Sequence, residues 1–279
     1  HQFVSAPEPV ALPLSNKAAT YARMAVAASQ GEAPGSSAGG EQPKFTAYAH
    51  TTTGPQHVMV KFSELPNSPV TQRWRDLLLA EHLALQTLRQ AGMAAADTTV
   101  VDFEEQRYLE VVRFDRVGTL GRRGLLSLAA LDAEFVGRAH QPWPVVVQRL
   151  AALDVVTPEA AQTAELLWAF GTLMGNTDMH SGNLSFVSEI GRPYEAAPAY
   201  DMTPMAFAPT TGGKLPNTVP APQLHASVRN THWHTALALA HTYLSTLRAC
   251  PDFSAGFMEC VDALTAHLES ASVQIARLG

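Results

Sequence analysis

Asp178 and Asn183 stand five residues apart in Gly175-Asn176-Thr177-Asp178-Met179-His180-Ser181-Gly182-Asn183-Leu184-Ser185, and Asp201 follows in Ala199-Tyr200-Asp201-Met202. This spacing constrains the fold more than any other feature of the chain. A five-residue loop lets the aspartate face one way while the asparagine turns back. Leu184 to Val187 then predicts a short strand and Tyr194 to Ala199 its return, so that Asp201 emerges beside Asn183. One carboxylate to orient a hydroxyl, one amide oxygen and one further carboxylate are the set a phosphoryl-transfer loop uses. Mg²⁺ prefers few protein oxygens together with phosphate oxygens and water, which suits so sparse a provision. Asp and Asn also cap turns, and at this point both readings stand.

The residues upstream bear on the choice. Gly35-Ser36-Ser37-Ala38-Gly39-Gly40-Glu41-Gln42-Pro43-Lys44-Phe45 is a small-residue loop running into a strand from Phe45 to His50. Glycines let backbone amides approach phosphate oxygens, so the loop suits a flap over a triphosphate. It lacks a Gly-Lys-Ser/Thr ending, which rejects a Walker A loop, and a flexible linker has a similar composition. His57 to Phe62 predicts an apolar strand carrying Lys61. Trp74 to Ala91 predicts a helix from Leu77, Leu78, Leu85 and Leu88, ended by Gly92, with Glu81 as the partner of Lys61. A solvated glutamate and a snorkelling lysine are the plainer alternatives. Arg107 to Arg116 predicts a last strand and a hinge, carrying Glu110 and Phe114 as candidate nucleotide contacts, with His180 a third in the later loop. Flap, lysine strand, glutamate helix, hinge, catalytic loop and metal aspartate thus follow one another in order.

Ser36-Ser37-Ala38-Gly39-Gly40-Glu41-Gln42-Pro43-Lys44, Val111-Val112-Arg113-Phe114-Asp115-Arg116, the Gly175 to Asn183 run and Ala199-Tyr200-Asp201 together resemble the HipA-family kinases, with the phosphate-loop wording nearest the YjjJ-like branch. The likeness runs from about Ser36 to the C-terminus. It implies an α+β, two-lobed, protein-kinase-like fold with a small mixed N-lobe and a mostly helical C-lobe. It also implies a serine/threonine protein kinase acting as the toxin of a type II toxin-antitoxin system. The resemblance makes Asp178 the catalytic aspartate, Asn183 and Asp201 the Mg²⁺ ligands and Lys61 the phosphate contact. Glu81, Gln42, Lys44, Glu110, Phe114, His180 and the residues from Ser36 to Glu41 complete the implied ATP site. It further implies autophosphorylation at Ser36 or Ser37, where added negative charge would repel the ATP phosphates. A HipB-like antitoxin and a protein substrate, such as an aminoacyl-tRNA synthetase, are the implied partners. Two departures stand out. Only thirty-five residues precede Ser36 and the chain starts with His1, where family members usually carry a further N-terminal region, so a piece of a longer protein is expected. Asn176-Thr177 also replaces the His-Arg of eukaryotic-type kinases, as is normal for this group.

With 279 residues of which 46% are hydrophobic, the chain can bury a core large enough for two lobes. No apolar stretch approaches the roughly twenty residues that cross a bilayer, and no signal peptide opens the chain, so a soluble cytoplasmic protein without a membrane partner is expected. A net charge of −6 argues against direct binding of nucleic acid. Arg113, Arg116, Arg122 and Arg123 form the notable basic cluster, suited to a charged substrate or the hinge. Cys250 and Cys260 read as buried thiols, and His232-Trp233-His234 with His241 lack the companions a metal site needs.

The expected organisation is an N-terminal extension over 1–34, an N-lobe over 35–117 and a helical C-lobe over 118–279. Within these, Lys17 to Gln30, Leu125 to Ala139, Val145 to Leu153, Pro158 to Met174, His234 to Arg248 and Phe253 to Leu278 read as helices. Met205 to Gln223, rich in Pro, Gly and Thr, takes the place of an activation or substrate loop. Two other functions fit the same residues: a small-molecule kinase of the aminoglycoside or choline type, which an acidic surface by the cleft would favour, and an inactive kinase-like binding module.

Overall fold

The computed structural model describes residues 8–30, 42–138 and 141–278. The calls on Ser36, Ser37, Ala38, Gly39, Gly40 and Glu41 lie outside these residues.

The N-lobe is built on a hairpin. β1 (Lys44–Thr51) and β2 (Gly54–Phe62) pair antiparallel in a register that sets Lys44 opposite Lys61. The turn between them closes where the Thr51 hydroxyl donates to the Gly54 carbonyl at 2.9 Å, with Gly54 at φ +110°, a conformation that a side chain disfavours. After α2 (Pro69–Gln90) come β3 (Thr98–Phe103) and β4 (Gln106–Val112), giving a four-stranded antiparallel sheet in the order β1-β2-β4-β3. Successive side chains of a strand face opposite ways. Phe45, Val58, Val60, Phe62 and Tyr108 therefore form one buried face, covered by Tyr21, Ala25 and Ala28 of α1 (Lys17–Ser29). Lys61 lies on the other face, toward α2. β3 has no counterpart in the sequence reading.

α2 starts earlier than the Trp74 expected from apolar spacing. The Ser68 hydroxyl accepts from the Thr71 amide at 3.1 Å, the Thr71 hydroxyl accepts from the Ser68 amide at 2.8 Å, and Pro69 occupies the first turn. Such a reciprocal cap with a leading proline is a strong helix start.

A two-residue hairpin, β5 (Arg116–Val117) and β6 (Gly121–Arg122), follows the last N-lobe strand. The helix expected from Leu125 to Ala139 is corrected here. Gly124–Ser127 is a strand, β7, paired with β8 (Ser185–Ser188), and only Leu128–Phe135 is helical, as α3. Ser127 decides the break, because its hydroxyl accepts from the Ala130 amide at 3.2 Å and its extended backbone precedes the first turn. β9 (Glu195–Ala196) completes this small sheet. α4 (Trp143–Ala152), α5 (Pro158–Leu173), α6 (Asn230–Ala249) and α7 (Ala255–Ile275) form the helical C-lobe around fully buried Trp143, Phe170, Trp233, Tyr243 and Phe257. The apolar side of α2 joins the same core through Leu77, Leu85 and Leu88. One helix thus belongs to both lobes, and the fold is the α+β, two-lobed arrangement that the sequence implied.

Among the described residues no helix is long and apolar enough to cross a membrane.

Candidate active site

The loop from Asn176 to Asn183 is held at both ends and along its length. At the end of α5, Gly175 takes φ +78°, and an added Cβ would meet Val219 at 3.3 Å, so glycine serves both the turn and the packing. Asn176, 5% exposed, accepts from the Asp178 amide at 2.9 Å through its side-chain oxygen and donates to the Asp201 carbonyl at 3.3 Å. Asn183 donates from Nδ2 to the Asp178 carbonyl at 2.9 Å. The N-terminal end of α3 holds the far side of the loop, where the Ala129 amide donates to Ser181 O at 2.9 Å and that of Leu128 to Leu184 O at 2.8 Å. Asp178 and His180 are exposed on this loop. The His180 carbonyl accepts from the Trp143 indole at 3.1 Å, and its ring accepts from the Gly182 amide at 3.0 Å.

The small β7-β8-β9 sheet returns the chain to Tyr200 and Asp201. The Tyr200 hydroxyl donates to Gly182 O at 2.9 Å and accepts from Ser185 Oγ at 2.7 Å. Asp201 has φ +53°, a left-handed backbone uncommon for a residue with a side chain. Strain of this sort persists where the surroundings over-determine it, and it is found at functional sites. Here the Asn176 amide fixes the carbonyl and Lys61 fixes the carboxylate.

Lys61 is 7% exposed and bridges two acids. Its Nζ donates to Glu81 Oε1 at 2.7 Å and Oε2 at 2.8 Å, and to Asp201 Oδ1. Thr203 donates to Glu81 Oε2 at 2.8 Å. Burial disfavours the Lys61 charge, but Asp201 and Glu81 outweigh it and hold the ammonium well above its ordinary value. Burial also works against the Asp201 carboxylate, yet Lys61, with smaller help from Lys44 and His180, keeps it below the usual carboxylate range. Burial pushes Glu81 up against the pull of Lys61, and Asp201 adds to the rise. The cluster therefore carries one ammonium between two acids, an arrangement that a further cation would complement.

Lys61, Glu81, Asn183 and Asp201 share a cavity of about 590 Å³ with Asp178 and His180. Gln42 and Lys44 line it from β1's end, Trp74, Leu77 and Leu78 from α2, and Thr203 and Met205 from the segment beyond Asp201. The structure thus brings together eight of the residues singled out from the sequence. Phe114 lies close by, its ring 5.9 Å from that of Tyr200.

Glu110 is not among them, and that expectation is corrected. It pairs with Val60 across the sheet, one position from Lys61, so the alternation of the strand turns its side chain to the opposite face. There it accepts from the Tyr21 hydroxyl at 2.5 Å and pairs with Lys17 Nζ at 3.0 Å, buried beneath α1. Most of the basic cluster is also internally matched: Arg113 grips Asp115 at 2.9 and 2.6 Å, Arg116 lies 3.5 Å from Asp115, and Arg123 pairs with Glu189 at 2.6 Å. His232 Nδ1 lies 3.0 Å from Glu165.

Sequence reasoning missed Asn176, Thr203 and Arg73. Asn176 lies two residues before Asp178, the spacing of a side chain that closes its own turn, and that signal was legible. Nothing local marks Arg73. This α2 residue, 6% exposed, donates from Nη1 to Phe207 O at 3.0 Å and Pro216 O at 2.6 Å, with its guanidinium 5.9 Å over the Phe257 ring. One turn on, Asp76 accepts from the Ser254 hydroxyl at 2.6 Å and the Ser254 amide at 3.0 Å, at the start of α7. The helix that carries Glu81 is thereby fixed to the C-lobe and to the segment following Asp201.

The model of the HipA-like C-terminal domain matches residues 36–271. The chain belongs to the HipA family. Within that family it is 39% identical over its whole length to Toxin YjjJ of Escherichia coli strain K12, and it spans 62% of that relative's length. HipA of Shewanella oneidensis MR-1, solved with HipB and its operator DNA, has the same fold, with a TM-score of 0.56 at 19% identity over 84% of this chain and 64% of that one. The Helicobacter pylori proinflammatory kinase CtkA matches with a TM-score of 0.54 at 15% identity, over 87% of this chain and 94% of that one. This HipA-family chain is therefore YjjJ-like in sequence and kinase-like in fold.

Proposed function

We propose that the chain is an ATP-dependent serine/threonine protein kinase. The observation that carries the reading is the single cavity in which Asp178 faces the Lys61–Glu81–Asp201 cluster and Asn183. Lys61 is the contact for the nucleotide phosphates, and Glu81, fixed by Thr203, holds it in place. Asp201 and Asn183 fit Mg²⁺. They offer one carboxylate and one amide oxygen, and because Asn183 Nδ2 is engaged by the Asp178 carbonyl, its oxygen is the end of the amide left for a cation. Bound there, the metal would offset charge on the phosphates. Asp178 orients the acceptor hydroxyl and receives its proton as the oxygen bonds to the γ-phosphorus. The bond from that phosphorus to the bridging oxygen breaks, and ADP leaves.

Three finer readings go with this one. The relatives' toxin and HipB names support a toxin restrained by a HipB-like antitoxin, for which a cytoplasmic location is proposed. Ser36 or Ser37, in the small-residue run that precedes Gln42 in the sequence, is the proposed autophosphorylation site. An aminoacyl-tRNA synthetase is a substrate of the expected kind. The test is transfer of label from radioactive ATP with Mg²⁺, comparing the chain with Asp178→Ala and locating label in the chain and in a bacterial lysate. Label that requires Asp178 and maps to Ser36 or Ser37 is expected. ATP binding with no transfer would overturn the kinase reading.

A further inference from the structure

Asp178 and His180 line a second cavity as well, of about 890 Å³, on the other side of the catalytic loop from Lys61 and Asp201. Its walls are Ala129 and Ala133 of α3, Pro142, Trp168 of α5, and the loop residues Met179 and Gly182. Thr177, Met179, Pro142 and Trp168 continue into a third hollow of about 380 Å³ bounded by Val219 and Leu224. The carboxylate that would orient the attacking hydroxyl thus lines both the cavity of the Lys61–Glu81–Asp201 cluster and a groove lined mostly by carbon.

The chemistry of that lining selects its occupant. A polyamine-like acceptor such as an aminoglycoside is positively charged and calls for several exposed carboxylates. Among the described lining residues the only acid besides Asp178 is Asp132, which is 5% exposed and spends Oδ1 on the Arg138 amide at 2.9 Å. What the groove offers is a half-buried tryptophan, braced edge-on by Trp143 at 5.6 Å between ring centres, together with the Met179 thioether and a proline. Ala129 and Ala133 lie one helical turn apart on α3, and their small side chains leave the space open.

We propose that this groove is the acceptor site and that it takes an extended polypeptide segment whose serine or threonine is flanked by one large apolar residue, read by Trp168 and Met179. The inference rests on the protein-kinase reading above and adds a preference for the residue beside the acceptor hydroxyl and the side chains that set it. An apolar pocket of this kind supports a preference of roughly ten- to a hundredfold for the side chain that fills it.

The test offers the chain a set of short peptides, each with one serine and with the adjacent position varied among leucine, methionine, phenylalanine, glycine, lysine and aspartate. Kanamycin serves as a small cationic acceptor, and ADP release is followed in parallel. Leucine, methionine or phenylalanine peptides should be labelled at least tenfold faster than the others. Ala133→Trp, at an exposed helical position that tolerates the change, should raise the peptide KM at least tenfold while the KM for ATP holds. Trp168→Ala should erase the apolar preference. A flat preference, an unchanged peptide KM in Ala133→Trp, or label on the chain itself but on no peptide would each overturn the groove assignment and leave the protein-kinase reading standing, whereas labelling of kanamycin in place of peptides, or ADP release with no label on peptide or chain, would overturn both. Absence of both ADP release and label in the unaltered chain would overturn the kinase reading, and the inference with it.

Discussion

Replacing Arg73 by alanine tests the claim that α2 and the segment after Asp201 are locked together. The guanidinium is buried and donates to two carbonyls, those of Phe207 and Pro216, from residues 134 and 143 positions away in sequence. A hydrogen bond from a charged donor contributes roughly 1.5–3 kcal/mol, so the pair supplies about 3–6 kcal/mol. The Phe257 ring beneath the guanidinium adds roughly 0.5–2 kcal/mol. Part of this is recovered when water reaches the carbonyls and when a buried cation no longer has to be desolvated, which leaves an expected loss of about 4 kcal/mol for Arg73→Ala. A chain of this size unfolds with a urea dependence near the upper end of ~1–3 kcal/mol per molar, so the midpoint should fall by roughly 1–2 M. Arg73→Lys keeps the charge but not the planar fork, and about half of the loss should return. The assay is urea unfolding followed by tryptophan fluorescence, since Trp74 lies beside the substituted position and Trp233 in the core that α2 joins. A loss below about 1 kcal/mol in Arg73→Ala, with the slope unchanged, would show that the two carbonyls find other partners and that Arg73 does not hold the segment.

Three further outcomes follow from the geometry. Glu110→Gln removes the charge facing Lys17 under α1 and should cost about 3–5 kcal/mol by denaturant titration while the KM for ATP stays put; a raised KM at unchanged stability would return Glu110 to the nucleotide site. Asn176→Ala frees the Asp178 amide and the Asp201 carbonyl, and kcat for peptide phosphorylation should drop roughly ten- to a hundredfold with only a small stability change; an unaltered kcat would refute its positioning role. Burial raises the Glu165 carboxyl, but hydrogen bonds from Gln148 and Arg229 and the charges of Arg229 and His232 outweigh it and hold it below its unfolded value of 4.5. A depressed carboxyl stabilises the fold above the unfolded value, and that contribution is lost as pH falls through the folded one. Glu165→Gln should therefore flatten stability measured from pH 5 downward, and an acid limb as steep as that of the unaltered chain would exclude Glu165 as its source.

The sequence by itself determined what is local. The five-residue spacing of Asp178 and Asn183, the strand and return that bring Asp201 back, and the apolar intervals of α2 are set by periodicities and turn chemistry acting over one or two turns of chain. Those features named the lysine, the glutamate and the loop residues that meet in one cavity, and they failed where a different local signal won, as when Ser127 stopped a strand and started α3 three residues later than leucine spacing suggested. What only the tertiary structure decided is anything that depends on which face or which distant carbonyl a side chain meets. Glu110 differs from Lys61's partner strand positions by a single step of pleat, so its role turned on the register of β2 and β4. Arg73 and Asp76 acquire theirs from Phe207, Pro216 and Ser254, far away along the chain. The proposed acceptor groove is assembled from α3, α5 and the Asn176 to Asn183 loop, and beyond Asp178 and His180 the residues that give it its apolar lining, Ala129, Ala133, Trp168 and Met179, carry no mark in sequence, because small and apolar side chains look like core until the packing leaves them lining a space.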